Sequence, residues 1–406
     1  MLPPTPVPDD ALVPGELVAV LDMGASAVRL FVAQVGADRN LQTIEDASRS
    51  VQLGRDTFSN GVIRAQTADT TVAALDGFRR LIEGYGVTRV YAVATSAVRE
   101  ARNGDLFLDR VRGRTGFAFE TINEAEESRL LFVAMCHSLG RHPALAGAWT
   151  LLAEVGGGST SLTLLRRGQP ARSGVFAMGA VRLRQQLDLK QHRHDLQVAL
   201  LRRSVANIID EMRADIPLKG VTHMVATGSD VRLAAAHILG PSDHERVREI
   251  PRDAFLAFCD EVSVLDSEGL ISRFRLSMAE AESLGPSLLI YRMLLATTAS
   301  RRLVVSDASL RVGILLDQLG GVAATADDFE RQVLASAEAV GHRYRFDPAH
   351  GRHVAHLATE LFDAMVDEHQ LAGRERLLLQ TAALLHDVGI YVSLRAHHRH
   401  SQYLLA

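Results

Sequence analysis

Few folds accommodate the stretch Ala153 to Leu165, AEVGGGSTSLTLL. Gly156, Gly157 and Gly158 follow the apolar run Leu151-Leu152-Ala153, and beyond Ser159, Thr160 and Ser161 the chain alternates back through Leu162, Leu164 and Leu165. The pattern reads as strand, glycine turn, strand. Glycines allow positive φ and let backbone N–H groups converge on an anion, and the hydroxyls add donors. On its own the stretch is equally an ordinary tight hairpin. An earlier copy argues otherwise. Residues 17 to 35, LVAVLDMGASAVRLFVAQV, run apolar to Leu21, break at Asp22-Met23-Gly24-Ala25-Ser26, and resume an apolar strand. Asp22-x-Gly24 and Glu154-x-Gly156 share one spacing, an acid ending a buried strand two residues before a turn glycine. Two such hairpins suggest a duplicated domain facing one cleft, with the acids available to hold a metal or a water. The plainer reading is that acids at strand ends are turn formers.

The intervening chain alternates strand and helix. Residues 66 to 84 carry apolar residues at helical spacing, Val87 to Val93 reads as a strand, and Thr95-Ser96 turns it into a helix bearing Arg99. A hydroxyl cap directly after a strand aims free N–H groups at the strand's carboxyl end, where α/β folds bind ligands. The strand Phe117 to Ile122 leads into a helix whose first turn holds Glu124, Glu126 and Glu127. Such carboxylates stabilise the helix dipole, and one of them at the cleft mouth is able to activate a water for in-line attack on phosphorus. Gly179 opens a further helix carrying Arg182 and Arg184. Thr227-Gly228-Ser229 repeats the strand, turn, helix arrangement and is a candidate ribose or adenosine contact, or simply an N-cap. Residues 302 to 316 repeat it once more.

From about residue 325 the character changes to helices without clear strands, a region containing nine of the 16 histidines. His353-x-x-His356 lies on an amphipathic helix, and His386-Asp387 ends another. A His followed by a later His-Asp pair begins a metal site of the HD phosphohydrolase type. Such a site needs a further acid downstream, so the region reads as a truncated HD-like domain, and a helical structural or dimerising lobe is the stronger expectation.

Bulk properties set limits. A length of 406 residues allows two or three domains. With 44 basic and 48 acidic residues, a net charge of −4 excludes a broad polycationic face for duplex nucleic acid, so a polyanion must be met locally. Two cysteines, Cys136 and Cys259, fit a reducing compartment. Residues 1 to 15, rich in proline and carrying acids, read as a flexible leader and not a secretory signal. No run reaches the roughly 18 apolar residues of a membrane span. A cytoplasmic enzyme is expected.

The words DMGASAVRL, ATSAVREARN, EESRLLF, EVGGGSTSL, MGAVRL, ATGSD, LRVGIL and ALLHDVGIYVS, in this order, resemble the exopolyphosphatase / guanosine pentaphosphate phosphohydrolase family from about residue 16 to the end. The resemblance implies an α/β architecture of two ribonuclease H-like, actin-like lobes around a cleft, plus a C-terminal all-helical HD-like domain. Lobe I would span 16 to 135, completed by 300 to 320, lobe II 136 to 299, and the helical domain 325 to 406. It further implies that Gly24, Ala25, Ser26, Arg29, Ser96, Arg99, Gly156, Gly157, Gly158, Ser159 and Thr160 hold phosphate. Mg²⁺ would bridge through Asp22 and Glu154, Glu126 would direct water, and Thr227, Gly228 and Ser229 would lie on the nucleotide side. His353, His386 and Asp387 would be the HD-like residues. The substrate would be inorganic polyphosphate or guanosine pentaphosphate, and the protein a homodimer.

The chain departs from the family's pattern. D-x-G-S-N-S has become Asp22 to Ala27 with alanines at 25 and 27, and the Ser-Gly before the glutamates is Asn123-Glu124. In D-I-G-G-G-S-T-E the acids are replaced by Glu154 and Ser161. Loss of a carboxylate at such a site commonly costs orders of magnitude in rate. One alternative therefore stands beside hydrolysis, a weakened member that binds a phosphorylated ligand as a regulator; a sugar or acetate kinase on the same fold is a third, against which the motif order argues.

Overall fold

The computed structural model describes residues 12–405 apart from 39, 214–215, 243–244, 320–325 and 372. Most of the expected leader lies outside those residues. Its end is anchored: Leu12 is buried, and the Gly15 N–H donates to the Val35 carbonyl at 2.7 Å.

Two sheets form the α/β part. In the first, β1 (Leu17–Met23), β2 (Ala27–Val35), β3 (Leu41–Ser50), β4 (Arg89–Ala94) and β5 (Glu120–Thr121) lie in the order β3-β2-β1-β4-β5. The second contains β6 (Thr150–Val155), β7 (Thr160–Arg166), β8 (Gln169–Phe176), β9 (His223–Thr227), β10 (Val247–Pro251) and β11 (Arg302–Ser306), in the order β8-β7-β6-β9-β11-β10. Each sheet is thus an antiparallel three-stranded meander whose first strand also pairs in parallel with the next one along the chain. β1 meets β2 with Asp22 opposite Arg29, and β6 meets β7 with Glu154 opposite Ser161. The duplication suggested by the two hairpins is present in the backbone.

β1 and β6 read as near-continuous apolar runs because both of their faces are covered. On β1, Ala19, Leu21 and Met23 pack with Leu75 and Phe78, while Val18 and Val20 pack with Leu130, Leu131 and Ile314. On β6, Leu151, Ala153 and Val155 pack with Ile290 and Leu294, and Leu152 packs with Phe132 and Met135. The helix Glu124–Leu139 therefore serves both sheets, its Leu130 and Leu131 against the first and its Phe132 and Met135 against the second. Its N-terminus lies between them. The expectation that residues 300 to 320 complete the first lobe needs correction. Arg302–Ser306 joins the second sheet, between β9 and β10, and only the helix Leu310–Gln318 returns to pack against β1.

From residue 326 on the described residues contain helices and no strand. Their core is small, built on Ala337, Phe346, Ala355, Leu384, Leu385 and Val388. Leu357, Leu361, Met365, Val366, Leu378 and Tyr403 remain exposed. No helix among the described residues is long and apolar enough to cross a membrane. Cys136 and Cys259 are free thiols, and burial pushes Cys259 up to about 12.

Candidate active site

The two hairpin turns meet across one cleft. Gly24 N–H donates to the Ala27 carbonyl at 3.0 Å, and Gly156 N–H to the Ser159 carbonyl at 2.9 Å, closing the turns in the same way. None of Gly24, Gly156, Gly157 and Gly158 has positive φ, contrary to the expected role of the glycines. Close approach explains them instead. A Cβ on Gly158 would lie 2.2 Å from Ser96 Oγ, and one on Gly157 would lie 2.9 Å from the Ala25 methyl. The first turn and the Ser96 cap therefore press directly on the second. Ala25 is wedged between Gly157 and Gly54, which accounts for a small apolar residue where the family pattern has a hydroxyl.

The second turn is held from behind by the helix Ala180–Gln186. Its first N–H groups, on Ala180 and Val181, bond to the carbonyls of Gly156 and Gly157. The buried Arg182 donates from Nε to the Gly158 carbonyl at 2.5 Å and from Nη2 to Glu100 at 2.5 Å, its guanidinium 4.1 Å above the Phe58 ring. Glu100 and Phe58 belong to the first lobe and Arg182 to the second, so this contact fixes the turn and spans the cleft.

Asp22, Gly24, Ala25, Ser26, Arg29, Ser96, Gly156, Gly157, Gly158, Ser159, Glu154, Thr227, Gly228 and Ser229 all line the cleft. Three expected residues do not. Thr160 is fully buried, and its Oγ1 donates to the Met178 carbonyl at 2.5 Å, away from any ligand. Arg99 lies beneath the lining, donating from Nη1 to the Ile122 carbonyl at 2.7 Å and pairing with Glu124 at 3.4 Å and Glu127 at 3.7 Å. Glu126 faces away. It takes a two-pronged contact from Arg129, at 2.8 and 2.7 Å, while Arg129 reaches Asp317 at 2.6 Å, fastening this helix to Leu310–Gln318. Successive helical residues point about 100° apart, so two adjacent glutamates cannot share a face. Glu127 is the one in the cleft. Asn123 caps the helix, its Oδ1 accepting the Glu126 N–H at 2.9 Å, a role that an amide fills as well as a serine.

Asp230, Arg232 and Arg311 also line the cleft and had no assigned role in the sequence. Asp22, Glu127, Glu154 and Asp230 thus share one enclosed space with Arg29, Arg232 and Arg311, the last of these bonded to Asp46 at 2.6 Å. Burial pushes Glu127 up to about 7, with Asp22 and Glu124 adding repulsion against the attraction of Arg99. Burial and the neighbouring Glu127 push Glu154 up to about 8, and burial lifts Asp230 to about 6. Glu127 Oε2 is buried without a hydrogen-bond partner. Four carboxylates crowded into one cleft, with one buried oxygen making no hydrogen bond and its cation Arg99 at 3.7 Å, are an environment that a divalent cation would neutralise. The residues present therefore fit a divalent metal.

Ser161 does not face empty space. Its Oγ donates to Ser128 Oγ at 3.1 Å, Ser128 lies 3.2 Å from Ser173 Oγ, and that lies 3.3 Å from Thr163 Oγ1. A buried ladder of hydroxyls joins β7 and β8 to the residue after Glu127. Buried Tyr291 fixes the opposite wall, donating to the Thr227 carbonyl and accepting the Val155 N–H at 2.8 Å. In the helical domain His386 and Asp387 are adjacent in space, but His353 is exposed and apart from them; His350, one turn earlier, takes its place.

The chain matches known proteins over most of its length. The Ppx/GppA phosphatase family matches residues 31–321, and Ppx/GppA phosphatase, domain III, matches residues 333–406. A guanosine-5'-triphosphate,3'-diphosphate pyrophosphatase of Vibrio vulnificus is 22% identical over 397 residues, 96% of this chain and 76% of the relative. An exopolyphosphatase of Cytophaga hutchinsonii superposes with a TM-score of 0.69 at 19% identity, over 76% of this chain and 99% of its own. The Aquifex aeolicus family member gives 0.60 at 24% identity, over 75% and 97%.

Proposed function

The chain belongs to the Ppx/GppA phosphatase family, and on that premise we propose that its cleft removes terminal phosphate from inorganic polyphosphate or guanosine pentaphosphate. The observation that carries this reading is Glu127, a buried carboxylate held near neutrality at the meeting point of two phosphate-sized turns.

In this reading the N–H groups of Gly24 to Ser26 and Gly156 to Ser159 hold the terminal phosphates, with Ser96 adding its hydroxyl and Arg29 its charge. Asp22 and Glu154 would hold a divalent cation such as Mg²⁺, whose charge offsets that of the phosphates. Glu127 takes a proton from a water as the water oxygen attacks the terminal phosphorus, and the bridging P–O bond breaks to release a chain one phosphate shorter. A general base of this kind typically contributes about 10²–10⁴-fold, most when its proton affinity matches working pH. Arg99 does not touch phosphate; it positions Glu127 and limits how far burial raises it. Thr227, Gly228 and Ser229 take the nucleoside side where the substrate has one. The lobes divide near residue 135, and residues 325 to 406 form an HD-like domain.

The free thiols suit a cytoplasmic setting. The exposed apolar residues of the helical domain suit a homodimer, and the even charge balance leaves no role for duplex nucleic acid. Phosphate release from polyphosphate of defined length and from guanosine pentaphosphate, with and without Mg²⁺, tests the reading. Metal-dependent release from either one is expected. Micromolar binding of both without turnover would favour a regulatory member instead.

A further inference from the structure

A second cavity lies behind the helix Ala180–Gln186, away from the phosphate turn. Arg182 and Arg184 stand two residues apart, about 200° around a helix, so while Arg182 holds Gly158, Arg184 points the other way. There it borders an enclosed space among the helices His194–Met212, Arg252–Ser263, Ser267–Phe274 and Met278–Ala296. The space measures about 640 Å³, its open mouth included, which is the size of a small-molecule site. Leu189, Leu201, Val262, Leu270 and Leu289 give it an apolar wall.

We propose that this cavity binds a small amphiphilic carboxylate, a carbon chain of the length of octanoate whose charged head meets the guanidinium groups of Arg184 and Arg292. Two features carry the proposal. The first is room. Ala281, Gly285 and Pro286 form the face that the helix Met278–Ala296 turns to the cavity, and a Cβ on Gly285 would meet nothing within 4 Å. Glycine and proline inside a helix both weaken it, so helix formation does not account for this pair. Small side chains on a buried face usually admit a close neighbour. Here no neighbour fills the space they leave.

The second is charge. Arg184 and Arg292 border the cavity with side chains only 13% and 27% exposed. Arg184 Nη2 pairs with Glu282 at 3.2 Å, and Arg292 Nη2 donates to Asp260 at 2.9 Å. In both, Nε is buried with no hydrogen-bond partner among the described residues. Buried donors are seldom left so, and a carboxylate is the acceptor whose two oxygens match the guanidinium fork. Burial and the nearby Arg55 oppose the charge of Arg184 more than Glu282 supports it. Arg202 adds a third cation to the lining, and Asp260 is its one carboxylate among the described residues.

Together the two features select the ligand. An inorganic anion would leave the apolar wall against water, and a neutral hydrocarbon would cover the guanidinium groups without offering an acceptor. A carboxylate on a carbon chain meets both needs. His194 offers its donor elsewhere, with Nε2 on the Ser263 carbonyl at 2.8 Å. Cys259, also in the wall, directs its thiol to the Leu288 carbonyl at 3.7 Å, and burial pushes it up to about 12. It is therefore no nucleophile, and the ligand is held without a covalent bond.

Calorimetric titration of the full chain with octanoate tests this, beside acetate, which lacks the chain, and octanol, which lacks the charge. One octanoate per chain is expected, with acetate silent and octanol weaker by about 10–100-fold, the difference that hydrogen bonds to a charged group make. Arg184→Met and Arg292→Met should each weaken octanoate by about tenfold or more and leave octanol unchanged. Gly285→Leu, which fills the cavity, should abolish binding of both, and the smaller Gly285→Ala should weaken it. Both variants should keep the parent's far-ultraviolet circular dichroism, since each replaces glycine by a better helix former. Inorganic phosphate should not displace octanoate, and Leu361→Ser on the exposed face of the helical domain should leave its affinity unchanged. No binding to the parent, equal affinity for octanoate and octanol, or displacement by phosphate would overturn the site. So would affinity untouched by the arginine variants or by a folded Gly285 variant, or lost in Leu361→Ser.

Discussion

At position 127 burial and the carboxylates of Asp22 and Glu124 oppose ionisation, while Arg99 at 3.7 Å favours it, and the balance falls at about 7. A general base works only when ionised, so kcat/KM should climb tenfold per pH unit up to about 7 and level off above it. Glutamates in the ordinary range near 4.5 would instead give a flat profile from pH 5.5 upward. A pH–rate profile on polyphosphate at low, fixed Mg²⁺ distinguishes the two; saturating Mg²⁺, which competes with the proton, should move the limb to lower pH. The distinction between Glu126 and Glu127 was legible in the sequence. Leu130 and Leu131 stand three and four residues beyond Glu127, whereas Glu126 has Arg129 and Leu130 at those spacings, so Glu127 lies nearer the centre of the buried stripe. Assignment by motif position passed over that phase.

Among the elements, the helix Ala180–Gln186 contributes most to the shape of the second turn. Arg182 makes two hydrogen bonds and a ring contact with one rigid guanidinium, a combination that lysine cannot reproduce. Arg182→Lys should cost about 1–3 kcal/mol in unfolding free energy, as for other buried charged hydrogen bonds. It should also raise KM more than it lowers kcat, because the turn it holds binds phosphate. Urea unfolding and steady-state kinetics on the same sample check both. The hairpins and their shared acid spacing were readable because a buried strand, a turn and a second strand each leave a local pattern. Asp230, Arg232 and Arg311 were not, since their place in the cleft depends on how β9 and β11 order themselves beside β6. The exchange of Arg302–Ser306 into the second sheet has the same cause: strand order is a long-range property with no local signature. Likewise His350 displaces His353 only because the helix Pro348–Ala364 presents its first turn to Asp387.

For the whole molecule, the cleft carboxylates set a trend in stability. Folding raises Glu154 from 4.5 to about 8, Glu127 from 4.5 to about 7 and Asp230 from 3.8 to about 6. Between about pH 4 and 8 the folded state therefore holds protons that the unfolded chain has released, and this contribution to stability falls as pH rises. Glu154→Gln removes the largest part, so its melting temperature should exceed the parent's at pH 8 and converge with it near pH 4. Mg²⁺ should raise the parent's melting temperature more at pH 8 than at pH 5.5, since it competes with those protons. Equal Mg²⁺ shifts at both values, or a Glu154→Gln variant no more stable at pH 8, would contradict a cleft of mutually repelling carboxylates.

All of this depends on which glutamate of the helix Glu124–Leu139 faces the cleft. The most direct measurement is the rate of phosphate release from polyphosphate by Glu127→Gln and Glu126→Gln, assayed side by side under saturating Mg²⁺. Loss of about 10²–10⁴-fold in kcat for Glu127→Gln, with Glu126→Gln within a few-fold of the parent, is the predicted result. The reverse order, or equal rates in both variants, would contradict it.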